Sequence, residues 1–467
     1  MFIKQIYTGC LSEAAYFIES EGEVAIIDPL RDTDEYMALA KEMNAGIKYI
    51  FETHFHADFV SGHLDLAKQT GAPIIYGPNA VTSFKSYTSK DGEIFKLGKV
   101  SLEVLHTPGH TIESTCYLLR DEHDKPHAIF TGDTLFVGDV GRPDLSSGDM
   151  TSEELAGIMY DTLQNKILPL ADDIIVYPAH GAGSSCGKNL GPNTFSTIEE
   201  EKRNNYALQP QTREDFIKAV TEGLSEAPKY FAVNAQINMQ GYDSLDEIKQ
   251  KGLTPLSIAD FKKLMDEEVL ILDTRHGDTF TQGFVPGSIF IGLEGRFAEW
   301  AGSLLPFDKP IILVTEPGME EETVVRLSRV GFSKMLGYLD GSFEAWQAAG
   351  EKVDMIINIE ADELAMDIPH DDRLVVVDVR REAEFADGHV KGAQNVPLDE
   401  LMDVATIANF EDSQNLYVHC AGGYRSVIAS SLMKRQGVHN LRNVLGGWGK
   451  IKEEKGITVE KDASVLN

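Results

Sequence analysis

The residues of this chain that could do chemistry are its histidines, acids and cysteines, and the densest run of them is Thr53-His54-Phe-His56-Ala-Asp58-Phe59-Val-Ser-Gly62-His63. It follows the apolar segment Tyr49-Ile-Phe51, which reads as a strand. Two imidazoles and a carboxylate alternate, so one face of a strand-end loop presents three metal-ligand types. Three more motifs follow in order: Thr107-Pro-Gly109-His110-Thr, Phe130-Thr-Gly132-Asp133-Thr-Leu-Phe136 and Val176-Tyr-Pro178-Ala-His180-Gly. Each closes an apolar run beside a Gly or Pro that sharpens the turn, and strand ends of one sheet can bring such residues to one point. A second centre is Cys420, in Val418-His419-Cys420-Ala-Gly422-Gly423-Tyr-Arg425-Ser426. There a strand ends, a Gly-containing loop turns, and Ser426 can cap the next helix. Inward backbone N–H groups, the helix N-terminus and Arg425 all favour a thiolate, the form that attacks sulfur. Cys186 lies six residues after His180 and beside Gly187-Lys188, in a loop that could reach the metal pocket. A lysine neighbour favours thiolate, and a substrate-side thiol and a passive loop residue are equally good readings of Cys186. Cys10 and Cys116 sit in strand-like contexts and read as core.

These motifs need a framework. From Met1 to about Gln240, strand-like alternation, helix and His-rich loop recur in an α/β rhythm. Residues 197–207 read as an exposed helix, and 241–256, with Gly241, Gly252 and Pro255, as a linker. Beyond it lies an internal repeat. Val269-Leu-Ile-Leu-Asp273-Thr-Arg275 reappears as Val375-Val-Val-Asp378-Val-Arg380, and Phe280, Gly283, Val285 and Gly287 as Phe385, Gly388, Val390 and Gly392. A buried-strand run follows in each copy (Ile311–Val314, Leu416–Val418), then a turn, a helix and a late Trp (Trp346, Trp448). The copies span about 253–353 and 357–467, and a repeat of ~105 residues makes two domains, since solenoid repeats are much shorter. The whole length of 467 residues, at about 150 per domain, also suggests three domains. With 42 basic against 74 acidic residues, net −32, the chain repels phosphate backbones and anionic lipid, which argues against nucleic acid and membrane partners. No apolar stretch approaches the ~20 residues that span a bilayer, and no signal peptide opens the chain. Four cysteines, widely spaced, do not form a disulfide framework, and a reducing cytoplasm is expected. A homo-oligomer is left open.

The order of the four metal motifs resembles the metallo-β-lactamase fold superfamily, with its H-x-H-x-D-H signature followed by single His, Asp and His motifs. The resemblance covers about residues 1–240 and implies an αββα fold. Two-zinc hydrolases of that superfamily use the last His of the signature in their second metal site, and here that position is Phe59. This departure disfavours a dinuclear thioester hydrolase of the glyoxalase II type. A mononuclear site remains supplied: His54, His110 and Asp133 would make a two-histidine, one-carboxylate triad, which suits non-haem Fe(II) and O₂. His56, Asp58 and His180 would stand behind those ligands, orienting them, holding water or moving protons. Zinc is the rival metal, because imidazole binds both. Gly141-Arg142-Pro-Asp144 and His180-Gly-Ala-Gly-Ser-Ser-Cys186-Gly-Lys188 narrow the resemblance to persulfide dioxygenases. That implies iron on the triad, oxidation of a small-molecule thiol persulfide with O₂ to sulfite, and Arg142 against an anionic part of the thiol carrier; by their place on the loop after His180, Cys186 and Lys188 could also meet the substrate. The Cys420 loop, with Asp378-Val-Arg380 and Gly388-His-Val-Lys-Gly392, resembles a rhodanese domain, which implies a sulfane sulfur carried on Cys420. Only four residues separate Cys420 from Arg425, one short of the phosphatase loop of the same topology. The first copy reads Val314-Thr315-Glu316-Pro317-Gly318 at that position. It resembles a degenerate rhodanese domain, for which packing or spacing is the default role. The full architecture resembles fused bacterial sulfide-detoxification enzymes.

Overall fold

The computed structural model describes residues 1–145, 150–224, 226–411 and 413–462. It divides into two compact units, one of residues 1–248 and 325–333, the other of residues 249–324 and 334–467.

Among the described residues the first unit holds two six-stranded sheets. One runs in chain order through Phe2–Thr8, Glu13–Ser20, Glu23–Ile27, Gly46–Phe51, Ile74–Tyr76 and Tyr87–Thr88. The other runs in reverse order, from Ser196–Thr197 through Ile175–Pro178, Pro126–Gly132, Thr115–Arg120 and Val100–His106 to Ile94–Leu97. Alternate residues of both sheets meet in one apolar layer that includes Tyr16, Ile27, Phe51, Leu102, Tyr117 and Phe130. Its aromatic rings pack closely, with Phe51 and Tyr117 centroids 4.7 Å apart and Tyr16 and Phe130 4.8 Å apart. Each such buried ring stabilises the unit by roughly 1.5–3 kcal/mol. The opposite face of the first sheet is covered by Asp34–Glu42 and His63–Thr70, and that of the second by Ser152–Thr162, Ile198–Asn204 and Arg213–Thr221. The fold is the αββα sandwich that the sequence implies. Within it, Ile198 and Glu201 are buried, so the 198–204 helix is a packed element, not the exposed one expected. The region 241–256 is also more than a linker: Leu245–Gly252 is a helix whose Leu245 and Ile248 are buried, because its apolar residues share one face.

Among its described residues the second unit holds two five-stranded parallel sheets of identical connectivity, besides one two-stranded sheet. In the first, Pro255–Leu256, Met335–Leu339, Ile311–Val314, Leu270–Asp273 and Ile289–Phe290 lie side by side. In the second the order is Ile357–Ile359, Leu441–Val444, Asn415–His419, Leu374–Asp378 and Gln394–Asn395. The repeated motif has one physical cause in both copies. Arg275 bonds Asp273 and the Gly283 carbonyl, and Arg380 bonds Asp378 and the Gly388 carbonyl. Each guanidinium also lies over a ring, Phe343 in one copy and Trp448 in the other. Phe343 is therefore the counterpart of Trp448. Trp346, paired with Trp448 in the sequence reading, instead packs on Phe261.

Candidate functional site

The four motifs of the first unit converge at one end of the two sheets. Gly132 and Pro178 are paired on adjacent parallel strands, so Asp133 and His180 leave the sheet side by side. Gly132 is required there: its φ is +52°, and a Cβ would lie 2.5 Å from the Thr53 hydroxyl. His110 sits in the turn between Val100–His106 and Thr115–Arg120, and His54 follows Gly46–Phe51. His54, His110 and Asp133 are all buried, with one ligand atom from each within 4.8 Å of the others. Asp133 Oδ2 lies 3.4 Å from His110 Nε2 and 3.8 Å from His54 Nε2, while its Oδ1 lies 3.4 Å from His180 Nε2. Both Asp133 oxygens lack a hydrogen-bond partner among the described residues. An unpartnered buried carboxylate is costly, and a cation is the group that resolves it. The donor set fits a metal.

Hydrogen bonding fixes which imidazole nitrogens face that point. Asp28 ends the strand Glu23–Ile27 and its carboxylate accepts from the Thr53 N–H (2.7 Å) and the Thr53 hydroxyl (2.8 Å). With its proton on Asp28, the Thr53 oxygen can only accept from His54 Nδ1, 3.0 Å away. His54 Nδ1 therefore carries the hydrogen and Nε2 is bare. His110 Nδ1 lies 2.8 Å from the Arg142 carbonyl and His180 Nδ1 3.2 Å from the Ser12 carbonyl, which leaves their Nε2 atoms bare too. Burial, then the neighbouring imidazoles His56, His110 and His180, hold the His54 pKa well below its usual value, so the ring is neutral. His56 is different. Its Nε2 lies 3.1 Å from Asp28 and 3.7 Å from Glu52. Burial alone would lower its pKa, but Asp28, Glu52 and Asp58 outweigh it and raise it to about 10.

His56, Asp58 and His180 also come within 4.8 Å of one another, with His180 Nε2 3.4 Å from Asp58 Oδ2. Phe59 stacks on the His56 ring at 4.3 Å. Cys186 groups with Asp133 and His180 within 4.8 Å, so its sulfur faces the site. It is buried, and burial, then the charges of Asp58 and Asp133, push its pKa well up. That reverses the expected lysine effect, because Lys188 Nζ donates to the carbonyls of Ala219 and Glu222 instead. Arg142 is buried with its fork on Asp144, at 2.7 Å from each nitrogen, and also donates to the Ser185 carbonyl. Three contributors carry no chemical signal in the local sequence. Asp28 merely follows an apolar run, and Thr53 merely opens the His-rich motif. Asn238, on the helix Tyr230–Gln240, donates to the His56 and Phe59 carbonyls and accepts from the Ser61 N–H, pinning the ligand loop. Nothing in its local sequence signals that.

In the second unit Cys420 follows Asn415–His419 and precedes the helix Tyr424–Arg435. The Gly423 N–H donates to Cys420 Sγ at 3.1 Å. Gly423, at φ +112°, occupies the N-cap; Ser426 is one turn further in and donates to the Gly423 carbonyl. Arg425 holds Glu384 through both terminal nitrogens, at 2.7 and 2.8 Å, so its charge is shared with that carboxylate. Cys116 is buried in its strand, whereas Cys10 lies in a turn and is only half-buried.

Fold and site together define an αββα domain with a buried His/Asp cluster that fits a metal, followed by a tandem pair of parallel α/β domains, one with a cysteine in its loop. Residues 8–180 match the metallo-beta-lactamase superfamily, and residues 257–349 and 360–454 each match the rhodanese-like domain. A crystal structure of a metallo-beta-lactamase from Staphylococcus aureus subsp. aureus COL is similar with a TM-score of 0.64 and 32% identity, covering 73% of this chain and 98% of that one. The chain belongs to the metallo-beta-lactamase superfamily and carries two rhodanese-like domains. It is 35% identical over 182 residues to the probable hydroxyacylglutathione hydrolase glo2 of Schizosaccharomyces pombe, a match that takes in 38% of this chain and 66% of that protein, just under two thirds. It is 29% identical over 226 residues to the mitochondrial persulfide dioxygenase ETHE1 of Mus musculus, covering 47% of this chain and 79% of that protein. No helix among the described residues is long and apolar enough to cross a membrane.

Proposed function

We propose that the chain is an iron-dependent persulfide dioxygenase coupled to sulfur transfer at Cys420. The observation that carries this reading is the difference between the two histidines of the H-x-H pair: His54 offers a bare Nε2, and His56 is withdrawn by Asp28 at 3.1 Å. That leaves His54, His110 and Asp133 as a two-histidine, one-carboxylate set with a free face. Iron(II) held there would supply the redox chemistry by which a thiol persulfide, dioxygen and water give the thiol, sulfite and two protons. The chain's own residues prepare that site. Thr53 and the Arg142 carbonyl fix the ligand tautomers, and Asp58 and His180 can hold water and pass protons beside Asp133. Cys186, whose sulfur groups with Asp133 and His180 within 4.8 Å, would give a persulfide sulfur a polarisable neighbour. Arg142 meets the anionic carrier only by sharing or releasing Asp144, and Lys188 only by leaving its two carbonyl partners. Cys420, as thiolate, takes a sulfane sulfur and passes it to sulfite, which gives thiosulfate. The similarity to a persulfide dioxygenase over most of that protein's length supports the reading.

One observation favours a second reading. His180 Nε2 lies 3.4 Å from Asp58 Oδ2 and 3.4 Å from Asp133 Oδ1, and His56, Asp58 and His180 form a second group of ligand atoms beside the triad, as the second cation of a zinc-dependent thioester hydrolase would need. Metal analysis of the purified chain separates the two, together with oxygen uptake on glutathione persulfide and cleavage of S-lactoylglutathione. One iron per chain with persulfide-dependent oxygen uptake is expected. Two zincs with thioester cleavage would replace the proposal by the hydrolase.

A further inference from the structure

The two rhodanese-like copies differ at one buried position beside the reactive sulfur. Asp273 pairs with Val314 in the first parallel sheet and Asp378 with His419 in the second, so Val314 and His419 hold the same register position. Cys420 then corresponds to Thr315. The bonds from Arg275 and Arg380 to their Asp and Gly partners are alike in both copies, so they form beside valine as well as beside histidine. His419 is wholly buried, and its Nε2 has no hydrogen-bond partner among the described residues. An orphan ring nitrogen is unfavourable where an aliphatic side chain packs in the other copy. Packing alone does not account for the imidazole.

Its hydrogen bond does. His419 Nδ1 lies 3.2 Å from the Cys420 carbonyl oxygen, which can only accept, so Nδ1 carries the hydrogen. Burial, ahead of the opposing pull of Asp378, lowers the ring's pKa, which leaves it neutral with Nε2 bare. The same carbonyl accepts from the Trp448 N–H at 2.7 Å, and the Ala421 carbonyl accepts from the Gly449 N–H at 3.1 Å. A planar trans peptide points its N–H opposite to its C=O. Holding these two carbonyls toward residues 448 and 449 therefore turns the Ala421 and Gly422 N–H groups the other way. The Gly423 N–H follows them and meets Cys420 Sγ at 3.1 Å. Successive N–H groups turned to one side form a concavity that favours an anion. His419 is the side chain in this set; the other donors are backbone.

The first copy anchors the corresponding carbonyl by another route. Thr315 O accepts from the Ser342 hydroxyl, so valine at 314 leaves nothing unheld. The residue equivalent to Ser342 is Gly447, which has no hydroxyl, and a Cβ there would stand 2.3 Å from the Cys420 oxygen. The copy that keeps the cysteine takes its side-chain donor from the neighbouring strand end instead.

We infer that His419 is a positioning residue for sulfur transfer at Cys420, its Nδ1–H fixing the peptide that opens the sulfur-bearing loop. The inference rests on the sulfur-transfer reading of Cys420. The ring bonds the carbonyl, so it acts through the loop's shape and carries no sulfur itself.

The test uses the full-length chain and two variants. His419→Val installs the residue that the first copy has at this register position. His419→Asn keeps a donor, because its Nδ2 sits as many bonds from the backbone as the ring Nδ1. Each protein is loaded with sulfur from glutathione persulfide, and the rate is read by mass spectrometry of the peptide that bears Cys420. His419→Val should load about 5-fold more slowly, the effect of one ordinary hydrogen bond, and His419→Asn should return to within about twofold of the native rate. Native loading in His419→Val would overturn the inference. Loading of His419→Asn as slow as that of His419→Val, or slower, would also overturn it, since the ring's shape and not its donor would then matter. No loading of Cys420 in the native protein would instead overturn the sulfur-transfer reading.

Discussion

Replacing Thr53 with valine keeps the shape of the side chain and removes one oxygen. That oxygen stands between the Asp28 carboxylate at 2.8 Å and His54 Nδ1 at 3.0 Å. Without it, His54 Nδ1 loses the acceptor that fixes its tautomer, and the bare Nε2 is no longer held toward Asp133. Loss of such an orienting partner typically weakens metal binding by 10–100-fold, which is about 1.4–2.7 kcal/mol. The loss should show as a shift of that size in chelator competition against the purified, metal-loaded protein. Thr53→Ser restores the hydroxyl and should recover most of the affinity. Cys420 lies in the other unit, and its sulfur loading should not change. A Thr53→Val protein that binds metal within about twofold of the native chain would refute the relay. His54 orientation would then be set by packing alone.

His54→Ala, His110→Ala and Asp133→Ala should each lose the metal and abolish persulfide-dependent oxygen uptake, measured by metal analysis and an oxygen electrode. His56→Ala should keep more metal than any of them but melt earlier, because removing one partner of a buried ion pair costs about 3–5 kcal/mol; equal metal loss would make His56 a ligand. Cys420→Ser should stop sulfur transfer and leave oxygen-dependent sulfite formation, with sulfite replacing thiosulfate as product; a matching fall in oxygen uptake would show that both sites share one obligatory intermediate. Gly447→Ala should impair sulfur loading of Cys420 without touching oxygen uptake, since φ is +51° and the new Cβ would stand 2.3 Å from the Cys420 carbonyl oxygen. Normal loading in that variant would show that the loop yields without consequence.

The αββα and tandem α/β classes are legible in the sequence. Their signals are local: alternating apolar strands, Gly or Pro at the strand ends, and a repeat whose Asp-x-Arg and Gly positions satisfy the same buried hydrogen bonds in both copies. It also named the residues that gather at the metal point, because each sits at the end of its own strand. It did not reach the proton positions. Which of His54 and His56 offers a bare nitrogen depends on Asp28, a carboxylate 25 residues earlier that arrives through sheet pairing. Nor did it show which way the surroundings push the Cys186 pKa. Its sequence neighbour Lys188 turns away to two carbonyls, while burial first, and then the charges of Asp58 and Asp133, distant in the chain, push that pKa up. Asn238 was equally out of reach, since its contacts join elements with no shared local pattern. Local pattern encodes which element forms and where it ends. Burial, tautomer and charge at a site are sums over neighbours that only the folded chain assembles.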